Sequence, residues 1–278
     1  MIEVYSSGLK ILFEKDTVFS GGEVHIKLKN TPYDRHGVFH VRATLTSSEE
    51  VMKLLMVTDA IRRKFKPETM ALMMLYVPYS RQDRVCDQGE ALGARVFCDL
   101  INSLNYDKVY ILSPHSDVVP SLLNNVHDIT DSFEKKVLVE LTAEGHYVLC
   151  APDAGAEKRT MSFAKLAGKD MFTATKTRDV TTGRITDTRV NVPHGGLSGQ
   201  TVVIYDDLCD YGGTFIELAK ILKEDHSASR VVLVVAHGIL KGGFGKISKH
   251  IDRVIVSDSF PFDKSNLHGV ELTEIRMN

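Results

Sequence analysis

Apolar positions along this chain fall into short unbroken runs that alternate with helical stripes. The clearest run is Val202, Val203, Ile204 and Tyr205, β-branched and aromatic throughout, as in a strand buried on both faces. It ends in two carboxylates, Asp206 and Asp207, with a third at Asp210, and then come Gly212, Gly213 and Thr214. From Thr214 the apolar spacing becomes helical, at Phe215, Leu218, Ala219 and Leu222, and Thr214 with Glu217 has the spacing of a capping box. Further strands are predicted over residues 22–28 and 38–45, where apolar and polar residues alternate, and over 70–77, 108–112, 147–151, 171–175, 230–236 and 254–257. Helical patterns lie between them at 48–64 (Val51, Leu54, Leu55, Thr58 and Ile61 on one face), 93–104 and 157–166, and residues 180–196 read as a polar, hairpin-like passage. Strands alternating with helices predict an α/β protein on mostly parallel sheets flanked by helices. The strand–loop–helix unit recurs in both halves, so two similar domains are expected, 1–133 and 134–278, divided in the polar, aperiodic stretch 128–136.

In such sheets ligands bind beyond the C-terminal ends of the strands. Those ends carry Arg81, Gln82, Asp83 and Arg84, then His115, Asp153, Lys176 and Arg178, and finally the acids of 206–210. Singly each has a plain explanation: a satisfied loop histidine, a solvated arginine, an aspartate that only turns the chain. Their shared placement points to phosphoryl chemistry, since arginine and lysine neutralise charge on phosphoryl oxygens. Asp153 and His115 are the candidate Mg²⁺ ligands, directly or through retained waters. The stretch 201–217 adds a glycine-bearing loop and a helix N-terminus, which present backbone N–H groups to an anion. Carboxylates beside that loop can accept from a vicinal diol. Phosphate plus diol describes a ribose phosphate.

Composition narrows the field. A length of 278 residues accommodates two domains with real cores, and a formal net charge of −2 argues against nucleic acid as the main partner. No apolar run reaches membrane-spanning length, and the opening residues lack a signal-peptide pattern. Cys86, Cys98, Cys150 and Cys209 have no metal-ligand spacing and are expected to be reduced thiols in a cytoplasmic protein. Walker A and GxGxxG motifs are both missing.

Six blocks in order carry a specific likeness. FSGGEVHIKL at 19–28, YSRQDR at 79–84, His115 in SPHSD, PDAGAEKR at 152–159, Lys176-x-Arg178 and AHGILKGG at 236–243 resemble the motifs of ribose-phosphate pyrophosphokinases. The 201–217 stretch resembles the ribose-phosphate loop of type I phosphoribosyltransferases. The resemblance implies two phosphoribosyltransferase-like domains related by a pseudo-twofold axis. It implies transfer of the β,γ-diphosphoryl group of Mg²⁺·ATP to the C1 hydroxyl of a ribose 5-phosphoryl acceptor. Arg81, Gln82, Asp83 and Arg84 would then bind ATP, with Phe19 and Glu23 completing the adenine pocket across a subunit interface of a homodimer or larger homo-oligomer. His115 and Asp153 would serve the metal, and Lys176 and Arg178 would stabilise the transferring group. Asp206, Asp207, Asp210, Tyr211, Gly212, Gly213 and Thr214 would hold the ribose phosphate.

Departures from the pattern are informative. Where the family loop reads D-T-x-G-T, this chain has Asp210-Tyr211-Gly212-Gly213-Thr214, and a tyrosine there favours a further-substituted 5-phosphate such as that of ADP-ribose. SPHSD lacks the family's aspartate before the histidine, the segment after Arg84 lacks the family's basic character, and the chain stops short of its C-terminal helix, which favours a dimer. Two other readings compete: a base phosphoribosyltransferase and a non-catalytic homologue of the synthetase.

Overall fold

The computed structural model describes residues 1–29, 37–178, 185–190, 192 and 196–277, with side chains except at 176–178 and 185–189. The chain divides into two compact units, Met1–Thr130 and Asp131–Asn278. Among the described residues, no helix is long and apolar enough to cross a membrane.

The first unit contains β1 (Ile2–Ser6), β2 (Leu9–Ile11), β3 (Phe13–Val18), β4 (Val24–Leu28), β5 (Val38–Ala43), α1 (Ser48–Phe65), β6 (Thr69–Met73), α2 (Gly93–Ser103), β7 (Lys108–Ile111), α3 (Val118–Leu122) and β8 (Val126–Asp128). Its sheet runs β2-β1-β5-β6-β7-β8, with β5 to β8 parallel and β1 antiparallel to both neighbours. Strands β3 and β4 form a separate antiparallel hairpin. Helix α1 starts where Ser47 accepts the Glu50 N–H at 3.2 Å, and acids in its first turn and bases in its last suit the helix dipole. It buries Leu54, Val57, Thr58, Ile61 and Phe65, while Val51 and Leu55 of the predicted stripe are only half-buried.

The second unit contains α4 (Thr130–Leu141), β9 (Tyr147–Ala151), α5 (Glu157–Ala167), β10 (Met171–Arg178), β11 (Ile185–Val190), β12 (Thr201–Cys209), α6 (Gly213–Glu224), β13 (Arg230–Gly238), α7 (Phe244–Ile247), β14 (Arg253–Ser257) and β15 (Glu271–Ile275). Its sheet runs β11-β10-β9-β12-β13-β14-β15, parallel except for β11. Val202, Val203 and Ile204 of β12 and Val231, Val232 and Leu233 of β13 are fully buried, as expected of strands covered on both faces. At the N-terminal ends of these strands an ion network centres on the buried side chains of Arg253 and Glu144 and reaches the more exposed Arg230, Glu140 and Glu271. Arg253 reaches Glu140 at 2.8 Å and Glu144 at 3.0 Å, and Arg230 reaches Glu144 at 2.8 Å and Glu271 at 2.6 Å.

The structure corrects several boundaries. The strand predicted over 70–77 ends at Met73, although Leu75 still accepts the Leu112 N–H at 3.0 Å. Strand β12 does not stop before the acids but carries its pairing with β13 through Asp206 to Cys209. The capping box is not formed: Gly212, at φ +80°, is the N-cap of α6, and Thr214 lies inside the first turn. Strand β3 escaped the pattern because five of its six residues, Glu14 to Val18, face solvent.

Candidate functional site

In the second unit the acids sit on β12 against a cation from a neighbouring helix. Arg159, in the first turn of α5, places Nη1 2.5 Å from Asp207 Oδ1 and 3.6 Å from Asp206 Oδ1. The Asp207 N–H donates to Asp206 Oδ1 at 2.8 Å. Burial pushes the Asp206 carboxyl well above the usual carboxylate range. The charge of Asp207 pushes the same way, and Arg159 offsets only part of this. Below the acids, the Tyr205 hydroxyl donates to Glu134 at 2.7 Å and its ring stacks on Phe163 at 4.5 Å. The Thr160 hydroxyl donates to the Tyr205 carbonyl at 3.2 Å. These contacts tie the acid-bearing strand to both α4 and α5.

The loop after β12 is braced from beneath by residues 239–242. The Cys209 carbonyl accepts from the Ile239 and Leu240 N–H groups at 2.9 and 3.1 Å, and the Asp210 carbonyl from Lys241 at 2.9 Å. A Cβ on Gly242 would stand 2.5 Å from the Tyr211 carbonyl oxygen, so only glycine fits under the loop. The brace stores strain, with Leu240 at φ +50°. Above it Asp210 leads into Tyr211, whose ring is 60% exposed, and then into Gly212, Gly213 and Thr214 at the start of α6. The first amides of α6 have no partner within the helix, and N–H groups so placed are of the kind that favours an anion. Sequence reasoning missed Arg159 and Gly242 as parts of this site. Two adjacent acids on a buried strand imply a nearby cation, and that was the available signal for Arg159.

In the first unit the structure brings together the loops after β6 and β7. Tyr79 opens its loop at φ +62° and Ser113 opens the other at φ +41°, both strained for residues with side chains. Burial raises the Asp83 carboxyl, but hydrogen bonds from Arg84 (Nε at 2.9 Å) and Ser116 outweigh it and hold the group below its usual range. Asp83 thereby links the 79–84 segment to the loop that carries the half-buried His115. Arg81, Gln82 and Arg84 are exposed, and Gln82 edges an apolar groove of about 350 Å³ lined by Val51, Tyr79, Val96, Phe97 and Leu100. Phe19 and Glu23 close the tip of the β3–β4 hairpin, where the Phe19 N–H donates to the Glu23 carbonyl at 2.8 Å. The Phe19 ring is 57% exposed and packs against His25.

Asp153 belongs to the second unit, in the turn before α5, where its Oδ1 accepts the Ala156 N–H at 3.1 Å. Among the described residues, no group of three or more histidines, cysteines or acids is arranged around a common metal position. Each taken in its own unit, Asp153 offers a carboxylate oxygen of the kind Mg²⁺ prefers and His115 an imidazole, a less common partner for that ion. Lys176 and Arg178 lie on the backbone of β10, and their side chains are outside the described residues.

With this geometry in hand, the chain can be compared with known proteins. The family model for the N-terminal domain of ribose phosphate pyrophosphokinase matches residues 7–105. The ribose-phosphate pyrophosphokinase of Marinomonas sp. is 28% identical over 267 residues, spanning 94% of this chain and 82% of its own. That of Pyrococcus furiosus is 28% identical over 240 residues, spanning 82% and 80%. The crystal structure of phosphoribosylpyrophosphate synthetase from Mycobacterium smegmatis superposes with a TM-score of 0.77 over 96% of this chain and 86% of its own; at 21% identity it speaks for the fold. Its sequence blocks, the family model over residues 7–105 and its relatives agree that the chain is similar to ribose-phosphate pyrophosphokinases along most of its length.

Proposed function

We propose that this protein is an ATP-dependent diphosphokinase that transfers the β,γ-diphosphoryl group of ATP to the C1 hydroxyl of ribose 5-phosphate and releases AMP. The observation that carries this reading is the assembly of acid pair, glycine turn and helix N-terminus at residues 206–214. It pairs a diol acceptor with a phosphate cradle, and the relatives' names supply the reaction class. Arg81, Gln82, Asp83 and Arg84 bind ATP in this account, and Phe19 and Glu23 close the adenine pocket of a neighbouring subunit in a homodimer or larger assembly. His115 in the first unit and Asp153 in the second would serve the Mg²⁺ that accompanies ATP. When bound, the ion neutralises charge on the β- and γ-phosphates. Lys176 and Arg178 stabilise the transferring group. No covalent intermediate on the protein is needed, because in-line attack requires only positioning and cationic clamps. Its setting is the cytoplasm, in keeping with four free cysteines.

One observation favours a second acceptor. The exposed Tyr211 ring stands where the phosphate loop meets solvent and offers a surface on which a nucleobase can stack. ADP-ribose fits that arrangement. Both readings are tested by incubating the protein with Mg²⁺, ATP and either acceptor and following AMP. AMP with ribose 5-phosphate supports the first reading and AMP with ADP-ribose alone supports the second. AMP with neither contradicts both. Tyr211→Thr should shift the ratio of kcat/KM values toward ribose 5-phosphate if the ring serves ADP-ribose.

A further inference from the structure

Carboxylates on successive residues of a buried strand repel each other, and a cation beside them relieves that repulsion. Arg159 is that cation, but it does not treat the two alike. Its Nη1 lies 2.5 Å from Asp207 and 3.6 Å from Asp206, and the Asp207 side chain is 7% exposed against 15% for Asp206. The Asp207 N–H donates to Asp206 Oδ1 at 2.8 Å, which fixes the direction of the Asp206 carboxylate. The residue after Arg159, Thr160, donates to the Tyr205 carbonyl at 3.2 Å and so pins the arginine's helix to the strand that carries the acids.

We infer that Arg159 is a positioning residue that splits the acid pair into two roles, with Asp207 as its internal anchor and Asp206 as the carboxylate that meets the acceptor's diol. The assignment rests on the reading that this unit binds a ribose phosphate. Asp207 then acts through Asp206 and does not itself contact the sugar.

The test compares Arg159→Met, Asp207→Asn, Asp206→Asn and the double variant Arg159→Met/Asp207→Asn, by AMP release with Mg²⁺, ATP and ribose 5-phosphate and by thermal melting. Removing the arginine alone leaves the buried Asp207 and half-buried Asp206 in repulsion, so KM for ribose 5-phosphate should rise about tenfold or more while KM for ATP stays within about twofold. In the double variant a neutral amide no longer needs the cation, and KM for ribose 5-phosphate should return to within about threefold of the unaltered chain. Adding Asp206→Asn to Arg159→Met should give no such rescue. If the Asp207→Asn double variant bound acceptor no better than Arg159→Met, Asp207 would be a sugar ligand and the assignment would fall. It would also fall if Arg159→Met shifted both KM values equally. Should Arg159→Met not fold, a double variant that folds and binds acceptor supports the assignment, and one that folds without binding overturns it. Turnover by the unaltered chain without rescue sinks this assignment only, whereas no AMP from the unaltered chain sinks the reading beneath it as well.

Discussion

At the scale of single residues, the acid pair and the glycine under the loop make separable predictions. Asp206 is held above the value of about 3.9 for an unfolded aspartate by burial first and then by the charge of Asp207. A carboxyl raised in the folded state contributes stability that is fully present below the unfolded value and is lost as pH rises through the folded one. Asp206→Asn should therefore flatten the fall in stability above about pH 4 and raise the melting temperature at neutral pH while weakening acceptor binding; melting curves across pH check this. Gly242→Ala places a methyl 2.5 Å from the Tyr211 carbonyl oxygen, and backbone yields less readily than a side chain. It should destabilise by about 1–3 kcal/mol and raise KM for the acceptor more than for ATP, as melting and steady-state kinetics would report. The acids and glycines of 206–214 were legible because their residue types are rare together in a simple turn. Arg159 and Gly242 were not, because their importance lies in what they touch across 48 and 31 positions of sequence (207 − 159; 242 − 211).

Among the elements, apolar period alone located the central strands and the helices α1, α2, α5 and α6, since continuous β-branched runs and helical stripes survive in any tertiary setting. It missed α4 (Thr130–Leu141), whose start lies in the stretch 128–136 read as aperiodic. It also failed at the ends of the elements it found. The pairing of β12 with β13 continues past the first polar residue, because Leu208 pairs with His237 and Cys209 with Gly238 regardless of the side chains between. Glycine at φ +80° starts α6 without any side-chain cap, so local spacing at Thr214 and Glu217 was overridden. Exposed strands such as β3 left no apolar trace. The consequence for the second unit is a sheet with two different ends: strained loops and acids at the C-terminal edge, and the Arg230–Glu144–Arg253 network at the N-terminal edge. Arg253→Ala removes a buried cation from that network and should cost about 2–4 kcal/mol by chemical denaturation. Both KM values should stay unchanged in the variant that remains folded, because the network stands at the far end of the strands.

For the whole molecule, the hairpin carrying Phe19 gives a test of assembly. Its ring is 57% exposed at the tip of β3 and β4, which suits a residue that completes a neighbour's nucleotide pocket. Phe19→Ala and Arg81→Ala should each lose most turnover alone. Mixed in equal amounts they should recover part of it if the pocket is shared between subunits, and a mixture as inactive as its components would argue for a pocket within one chain. The central claim is transfer of two phosphoryl groups together to a sugar hydroxyl. It is tested most directly by supplying ATP labelled on its γ-phosphate, with Mg²⁺ and an acceptor, and resolving all labelled and unlabelled products. The account predicts AMP in equal amount to labelled, diphosphorylated acceptor, with no ADP formed. ADP with a singly phosphorylated acceptor, or label released only as free phosphate, would contradict it.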